Sequence, residues 1–477
     1  MKKLFSLCAV LVLLFALSAL SVSADNEVSG PFTYEVAEGA VTITACDTAA
    51  EGELVIPDAI DGVPVTAIGD KAFYGCKKLT VVHVPATVTV IGNNAFGECS
   101  ALTAIEVAEE NTAYCDEEGI VFNKDKTRLV RMPNKHATTA YAVPEGVTTI
   151  GSSAFFGCAQ LQTITFPDSV TAIETSAFHY CPALTAVKLP VNLIAIEFGV
   201  FSSCTGLKSV EIPESVTTIG NYAFSGCKAL TAVAVPAGVT TIGNNAFSGC
   251  ESLTQATIAD SVTSIGERAF FFCDRLTTVQ LGAGLTSIGD EAFVGCIKLA
   301  NISLPESLTA IGESAFRYCS ALTSVTIPAG VTTIRYGTFE SCSALTEMVI
   351  PEGVTFIGGS AFHDCSALKM LTLPNTVTTI SYGAFAECLN LAQVQYDGAP
   401  TDKKAMTIGD GNAPLTDVSW QYLKEDTAEV EEEEQAPDVV EPYVKPKESW
   451  VKTAVYAAVL VAAIVFLFVM FVRKPKY

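Results

Sequence analysis

Apolar side chains recur through the middle of the chain with a fixed period of 23 residues. From position 158 to position 388 every twenty-third residue is a cysteine, and a phenylalanine stands three residues before each of them. Phe73/Cys76 and Phe96/Cys99 are two earlier copies of this pair. A single unit of this length cannot bury its own apolar side, whereas stacked units form one continuous core. The period therefore predicts a solenoid in which the Phe and Cys side chains are buried.

The unit 230–250 shows what each position predicts. Its first part, Leu-x-x-Val-x-Val, alternates as a short strand does, and Pro236 ends that strand because it has no backbone donor. Val239 and Ile242 are three residues apart, which is typical of a tight helical turn or a bend, and Gly243 permits a sharp reversal. We expect an α/β solenoid with a parallel β-sheet on one face and turns or short helical segments on the other.

One interruption breaks the period. The strand-ending position falls at Pro85 and Ala108, but the next strand end, Pro144, comes much later than one period. The extra residues fall in 119–132, where two apolar runs flank a polar turn and predict a hairpin. We therefore expect a hairpin insertion at about 108–143. It is either a stabilising flap over the early coils, which we favour, or a recognition protrusion.

Solenoids need polar ends that shield the first and last coils. The alternation around Val41 and Ile43 predicts an N-terminal β cap at 25–52, ahead of a solenoid at 53–396. A second alternating stretch around Val418 and Trp420 predicts a C-terminal cap at 397–424.

The first residues have the pattern of an export signal. Lys2 and Lys3 precede an apolar core, and Val22 and Ala24 place small side chains three and one residues before a cut ahead of Asp25. We predict a signal peptide at 1–24. The alternative is a membrane anchor retained at the N-terminus.

The last residues predict a membrane anchor. Residues 454–472 carry no charge, and a helix of that length, at about 1.5 Å per residue, spans roughly 30 Å of bilayer core. Arg473, Lys474 and Lys476 suit the cytoplasmic side. We predict one C-terminal transmembrane helix at 450–472, a short cytoplasmic tail at 473–477, and an extracellular location for everything between the signal peptide and the helix.

Between the solenoid and the anchor, residues 425–449 are acidic and contain three prolines. Such a segment has little apolar surface to bury, so it predicts an extended, self-repelling stalk. An acidic cation-binding tail is the alternative. The formal net charge of -23 argues against nucleic acid as a partner, because phosphate binding needs a basic face.

The pattern Leu-x-x-Val-x-Val-Pro-x-x-Val-x-x-Ile-Gly-x-x-Ala-Phe-x-x-Cys resembles the BspA-like class of bacterial leucine-rich-repeat surface proteins. The resemblance covers nearly all of residues 53–396, and its departures are local, such as Ala259 and Gly282 in place of the strand-ending Pro. It implies leucine-rich repeats of 23 residues on a protein of the bacterial surface, and adhesion to host or matrix proteins in some members. The class has no shared catalytic or ligand motif to carry over.

The cysteines and histidines have no arrangement that indicates catalysis. Metal-binding cysteines cluster around one point, whereas these are spaced one per coil and predict buried apolar thiols, with disulfides as the alternative. Cys46 and Cys115 lie off the repeat. The histidines recur at no metal or triad spacing, and no base accompanies a nucleophile. We predict no catalytic residue, no metal and no cofactor.

The two positions after each core phenylalanine vary from coil to coil and include aromatic and cationic side chains. On adjacent coils, such side chains are suited to anchoring a protein or a glycan. The alternative is that they pack between the coils. The candidate binding residues are Phe156, His179, Tyr180, Phe271, Phe272, Arg317, Tyr318 and His363.

Export, an anchor, a stalk and a large repeat surface together favour a membrane-anchored surface protein that binds an extracellular protein or glycan and mediates adhesion. A structural envelope coat and the ligand-binding subunit of a receptor complex are alternatives. A hydrolase is the least favoured, because no residue is a candidate for its chemistry.

Overall fold

The computed structural model describes residues 27–426 as a stack of coils with parallel β-structure. The predicted signal peptide at 1–24, nearly all of the stalk at 425–449, the transmembrane helix at 450–472 and the tail at 473–477 lie outside the described residues. Across 27–426, no helix is both long and apolar enough to cross a membrane.

The strand predicted for each coil is present. In the unit 230–250 it is Ala232–Val235, with Val233 and Val235 buried, and it pairs in parallel with Gln255–Ile258. We call this column of strands the first ladder. After the insertion it consists of Ala140–Ala142, Thr163–Thr165, Ala186–Lys188, Ser209–Glu211, Ala232–Val235, Gln255–Ile258, Thr278–Gln280, Asn301–Ile302, Ser324–Val325, Glu347–Val349, Met370–Pro374, Gln393–Asp397 and Ser419–Tyr422.

A second ladder of parallel strands runs along another side of the coils. Thr241–Ile242 pairs with Ser264–Ile265, so the predicted turn does not extend to Ile242. The chain turns just before, where Val239 N donates to Pro236 O at 3.1 Å. The buried isoleucines of the second ladder form one row of the core. After the insertion it consists of Thr149–Ile150, Ala172–Ile173, Ala195–Ile196, Thr218–Ile219, Thr241–Ile242, Ser264–Ile265, Ser287–Ile288, Ala310–Ile311, Thr333–Ile334, Phe356–Ile357, Thr379–Ile380 and Thr407–Ile408.

The segment around each core phenylalanine is a series of turns. Phe247 N donates to Ala269 O of the next coil at 2.8 Å, so this third side is also joined from coil to coil. Asn245 has φ 56° and Gly249 has φ 68°. A right-handed helix cannot continue through left-handed residues, so of the two predicted alternatives, turns and short helical segments, the coils have the turns. Within the described part, the helices are Pro400–Ala405 and Ala413–Thr416, both beyond the regular coils.

The phenylalanines and cysteines form the core, as predicted. The rings from Phe155 to Phe385 stack from coil to coil with centroids 4.7 to 5.5 Å apart, and all are buried. From Cys181 to Cys388, each repeat thiol donates to the carbonyl of the phenylalanine on the preceding coil; Cys250 Sγ lies 3.3 Å from Phe224 O. The thiols therefore satisfy a backbone acceptor inside the core.

Thiol accessibility checks this packing. Burial raises the pKa of the Cys250 thiol to about 12 and also raises the pKa of the Cys115 thiol, but Cys115 is only partly buried and stays accessible to reagents. Because only an accessible thiolate reacts, a thiol reagent added to native protein at pH 8 should react rapidly with Cys115 and slowly with the repeat cysteines. Cys115→Ser should remove one equivalent of the fast phase, and Cys250→Ser should leave that phase unchanged. Rapid reaction of several repeat thiols would contradict the packing.

The insertion is built into the stack. Its strands are Tyr114–Glu117, Ile120–Asn123 and Arg128–Arg131, each antiparallel to the next. Arg128–Arg131 also pairs in parallel with Thr149–Ile150, and so begins the next part of the second ladder. The predicted hairpin is present, and because the apolar residues of Ile120–Asn123 are buried, it is a stabilising part of the stack and not a protrusion.

The insertion divides the core into two clusters. One runs from Phe32 to Ile105 and includes Val121, whereas the other runs from Ile120 to Leu415. The alternate side chains of a single strand therefore enter different clusters.

Arg131 joins the two sides of this division. Its Nη2 donates to Phe96 O at 2.9 Å on the early side, and its Nη1 donates to Ser153 O at 2.6 Å on the late side. Asn134 Oδ1 and Phe156 O are further acceptors for Nη2. Arg131 is only 4% exposed. The guanidinium thus bridges the early and late coils.

The ends of the stack differ from the regular coils. An antiparallel arrangement of Glu27–Ser29, Phe32–Ala37 and Ala40–Cys46 stands at the start. At the other end, the Trp420 ring packs edge-on against Tyr396 with centroids 5.6 Å apart. The remaining strands before the insertion are Glu51–Val55, Ala59–Ile60, Val63–Ile68, Lys78–Val84, Val90–Ile91 and Ala104–Val107.

Candidate binding surface

The candidate residues occupy two successive positions after each core phenylalanine. The second position has a left-handed backbone in every regular coil, including those where it is Tyr180, Phe272 or Tyr318 (φ 60°, 51° and 61°). Glycine is favoured in this conformation, and it fills the position in several other coils. At these three positions the left-handed turn holds an aromatic side chain that is 42 to 57% exposed.

Phe156 and His179 are brought together. Their rings are stacked with centroids 5.2 Å apart and an interplanar angle of 11°. Burial lowers the pKa of His179, so the imidazole is neutral at neutral pH and presents a largely apolar face. Tyr180 follows it and is the most exposed of the candidate aromatic residues.

Phe271 and Phe272 form a second group. Their rings meet edge to face at 4.3 Å, and the Arg268 guanidinium lies 5.6 Å from the Phe271 centroid. Phe272 also lies against Gly295 on the next coil, where a Cβ atom would collide with the ring. This group is therefore partly packed between coils, which was the alternative interpretation.

Arg317 and Tyr318 form a third group. Arg317 lies over the Tyr318 ring at 4.7 Å and donates to Glu340 Oε1 at 2.8 Å. His363, the last candidate, is half-buried, and its Nδ1 has no hydrogen-bond partner in the described part of the chain. The groups are several coils apart, so the eight candidates do not form one site. Which of them bind a partner stays a prediction.

The coil at 189–211 holds residues that the sequence reasoning missed. Val191, Ile194 and Phe198 are 49, 57 and 48% exposed. At the position of Ile194, all the other coils from 148 to 378 have a threonine: Thr148, Thr171, Thr217, Thr240, Thr263, Thr286, Thr309, Thr332, Thr355 and Thr378. Comparing exposed positions, as well as core positions, from coil to coil would have revealed this departure.

Phe198 departs from the repeat in the same way. The equivalent residues of the next two coils, Asn221 and Asn244, accept a backbone N–H from the following coil through Oδ1, at 2.7 and 2.9 Å. Phe198 cannot make this bond. Its ring instead lies 5.4 Å from that of Tyr222, which is 41% exposed.

Phe156, His179, Phe198 and Tyr222 line a shallow cavity of about 250 Å³ that we call the aromatic groove. The rest of its lining is small or polar and consists of Asn94, Ser153, Ser176, Gly199 and Ser202. The groove crosses several coils and contains two of the eight predicted residues. It offers ring faces and hydroxyl groups, which suits the binding of an amphipathic partner.

The outer face of the first ladder has a different character. Its exposed side chains are mostly small and polar, with surface ion pairs such as Lys188–Glu211 at 4.0 Å. His83 lies between Glu53 and Glu106, with its nitrogens 3.9 and 3.2 Å from their carboxylates. Exposed pairs of this kind contribute little free energy. Residues 27–426 contain no group of three or more His, Cys, Asp or Glu side chains that could hold a metal ion.

Stacked 23-residue coils, with a strand in each of two parallel ladders and a buried Phe/Cys pair, define a leucine-rich-repeat solenoid. The family described as the BspA type leucine rich repeat region matches residues 59–139, 132–254, 240–369 and 333–402, with six copies of the repeat. The chain belongs to this family.

Solved structures of bacterial proteins are similar to this chain. A leucine-rich repeat protein from Bacteroides ovatus has 26% identity and a TM-score of 0.54, covering 84% of this chain and 100% of that one. A leucine rich cell surface protein from Faecalibacterium prausnitzii has 29% identity and a TM-score of 0.48, covering 81% of this chain and 98% of that one. No curated protein matches the chain.

Proposed function

We propose that this chain is a non-catalytic protein of the bacterial surface that binds an extracellular protein or glycan through the aromatic groove. Membership of the BspA type family supports a surface binding role. The observation that carries the proposal is the coil at 189–211, where exposed Ile194 stands in place of the threonine of the other coils and exposed Phe198 stands in place of the asparagine of the next two. In this proposal the signal peptide at 1–24 exports the chain and the helix at 450–472 anchors it.

The fold has no need of these side chains. Thr217 and Thr240 donate through Oγ1 to the preceding coil at 3.1 and 3.3 Å, a bond that Ile194 cannot make. Exposed apolar side chains gain free energy only when a partner covers them, and binding energy concentrates on such aromatic anchors. Phe198 and Tyr222 lie on neighbouring coils, and their rings line the same cavity as the Phe156–His179 stack.

Binding to an array of matrix proteins, mucins and glycans tests the proposal. Phe198→Asn restores the polar side chain of the neighbouring coils and should weaken binding of the parent's ligand about 30-fold, the effect expected for loss of an aromatic anchor worth about 2 kcal/mol. Thermal stability should be unchanged, because the substituted side chain can accept a backbone N–H as Asn221 does.

Tyr336→Asn is the matched control. Tyr336 occupies the same repeat position as Phe198, is also exposed, and lies outside the groove lining. This variant should bind like the parent. The proposal fails if the parent binds nothing on the array at high density, or if the two variants lose binding equally.

A further inference from the structure

Three serine hydroxyls on the floor of the aromatic groove are not used by the fold. Ser153, Ser176 and Ser202 line the groove, and within residues 27–426 their Oγ atoms have no hydrogen-bond partner. The three atoms are also open to solvent, since none of them is among the fully buried unpaired side-chain atoms of this part of the chain. Each hydroxyl can both donate and accept a hydrogen bond, so together they offer a ligand several polar contacts.

The backbone holds these hydroxyls in place. Ser176 N donates to Phe198 O at 2.9 Å, and Ser202 N donates to Gly199 O at 3.1 Å. Gly199 also keeps the space beside Ser176 clear, because a Cβ atom there would lie 3.3 Å from Ser176 Oγ. Since the floor is already ordered, a ligand that bonds to it loses little free energy in ordering the protein.

The lining of the groove is uncharged. Among the described residues, none that lines it is Asp, Glu, Lys or Arg, although the chain has 28 basic and 51 acidic residues. His179 is neutral as well, because burial lowers its pKa. A charged ligand would lose hydration in the groove without gaining a countercharge, which costs free energy. The groove therefore favours an uncharged partner.

The apolar part of the lining consists of aromatic rings, of which Phe198 and Tyr222 are 48 and 41% exposed. The faces of such rings are partly negative and attract C–H groups. A wholly apolar partner would cover the three serine hydroxyls and leave them unpaired, which costs free energy. A hexopyranose sugar meets both demands, because C–H groups lie on the faces of its ring and hydroxyls lie around its edge.

We propose that the aromatic groove binds a neutral glycan built of hexopyranose units, an inference that rests on the proposed function of the groove. The C–H face of a sugar packs against Phe198 and Tyr222, and its hydroxyls bond to Ser153, Ser176 and Ser202.

The length of the groove favours a chain of sugars over a single one. Ser153, Ser176, Gly199 and Tyr222 occupy the same repeat position on four successive coils, and all four line the groove. At about 4.8 Å between stacked strands, these four residues extend over about 14 Å. An oligosaccharide therefore contacts more of the lining than a monosaccharide does.

Calorimetric titration of the purified full chain in detergent tests the proposal. The neutral probes are cellohexaose, mannohexaose and chitohexaose, and hexagalacturonate is the charged probe. At least one neutral probe should bind with a dissociation constant of about 1 mM or tighter, and added salt should leave that affinity unchanged. The matching monosaccharide and hexagalacturonate should each bind at least about tenfold more weakly than this probe.

Ser202→Ala and Ser225→Ala are a matched pair of variants. The two serines occupy the same position on adjacent coils, but Ser225 lies outside the groove lining. Ser202→Ala should weaken binding of the neutral probe about three- to tenfold, and Ser225→Ala should leave it unchanged. An apolar protein partner would bind the Ser202→Ala variant as tightly as the parent. Both variants should keep the thermal stability of the parent, because neither hydroxyl has a partner within residues 27–426.

Three results would overturn the proposal: no binding of any neutral probe, tighter binding of hexagalacturonate, or equal effects of the two serine variants. Failure of the glycan proposal is distinguishable from failure of the groove. If Phe198→Asn weakens binding of a protein on the array while no neutral probe binds, the groove keeps its proposed function and only the glycan is excluded. If neither the array nor the probes bind the chain, both proposals fail.

Discussion

Phe247→Ala is expected to lower the free energy of unfolding by about 4 kcal/mol, because a buried ring is removed from a core that cannot close around the gap. Phe247 is fully buried, and its ring stacks on Phe224 and Phe270 with centroids 5.3 Å away on both sides. Hydrogen bonds between coils hold the backbone on each side at a fixed spacing, as Phe247 N to Ala269 O at 2.8 Å shows. Urea unfolding followed by circular dichroism measures the loss.

Phe272→Ala is the control for this prediction. Phe272 lies on the next coil but is 48% exposed, so its removal should cost less than about 1 kcal/mol. Similar losses from the two substitutions would show that the phenylalanine column is not the core of the stack.

Arg131→Met should have the second largest effect, a loss of about 3–5 kcal/mol in the free energy of unfolding, since each buried acceptor left without its donor costs about 1–3 kcal/mol. The carbonyls of Phe96 and Ser153 would lose their guanidinium donor while they stay buried, and the bond between the two core clusters would be broken. Since coils contact only their neighbours, we expect the early coils to unfold at lower urea concentration than the late ones. Hydrogen exchange followed by mass spectrometry measures the two parts separately.

Arg275→Met removes the same charge from an exposed position on a regular coil and should change stability by no more than about 0.5 kcal/mol. If Arg131→Met leaves a single unfolding transition at the parent's midpoint, then Arg131 does not join the two parts of the core.

The burial of the repeat Phe and Cys side chains was predictable because the pair recurs in every coil. Each Phe and Cys is constrained by identical neighbours, so the 23-residue period alone predicts its burial. The second ladder was not predictable from local pattern, because strands as short as Thr241–Ile242 have no alternation to detect and exist only by pairing with the next coil. The choice between turns and short helical segments was not predictable, because apolar spacing does not reveal the two left-handed residues of each coil, such as Asn245 and Gly249, that produce turns.

The residues of the aromatic groove were predictable only in part. Phe156 and His179 occupy equivalent positions on adjacent coils, so their stacking follows from the period. Phe198 and Ile194 were not predicted, because the repeat pattern is defined by its buried positions and these two residues differ from the other coils at exposed positions. The role of Arg131 was not predictable, because its bond to Phe96 O across the insertion is set by the path of the hairpin and by no spacing in the sequence.

Hydrogen exchange of the full chain tests most directly whether the partner binds at the aromatic groove. It is measured with and without the ligand that binds the chain most tightly on the array. We expect the backbone amides of 194–199 and 221–223 to exchange more slowly when the ligand is bound. Exchange in the strands of the first ladder, such as Ala232–Val235, should be unchanged. Protection that is spread along the first ladder, or absent from the aromatic groove, would contradict the account.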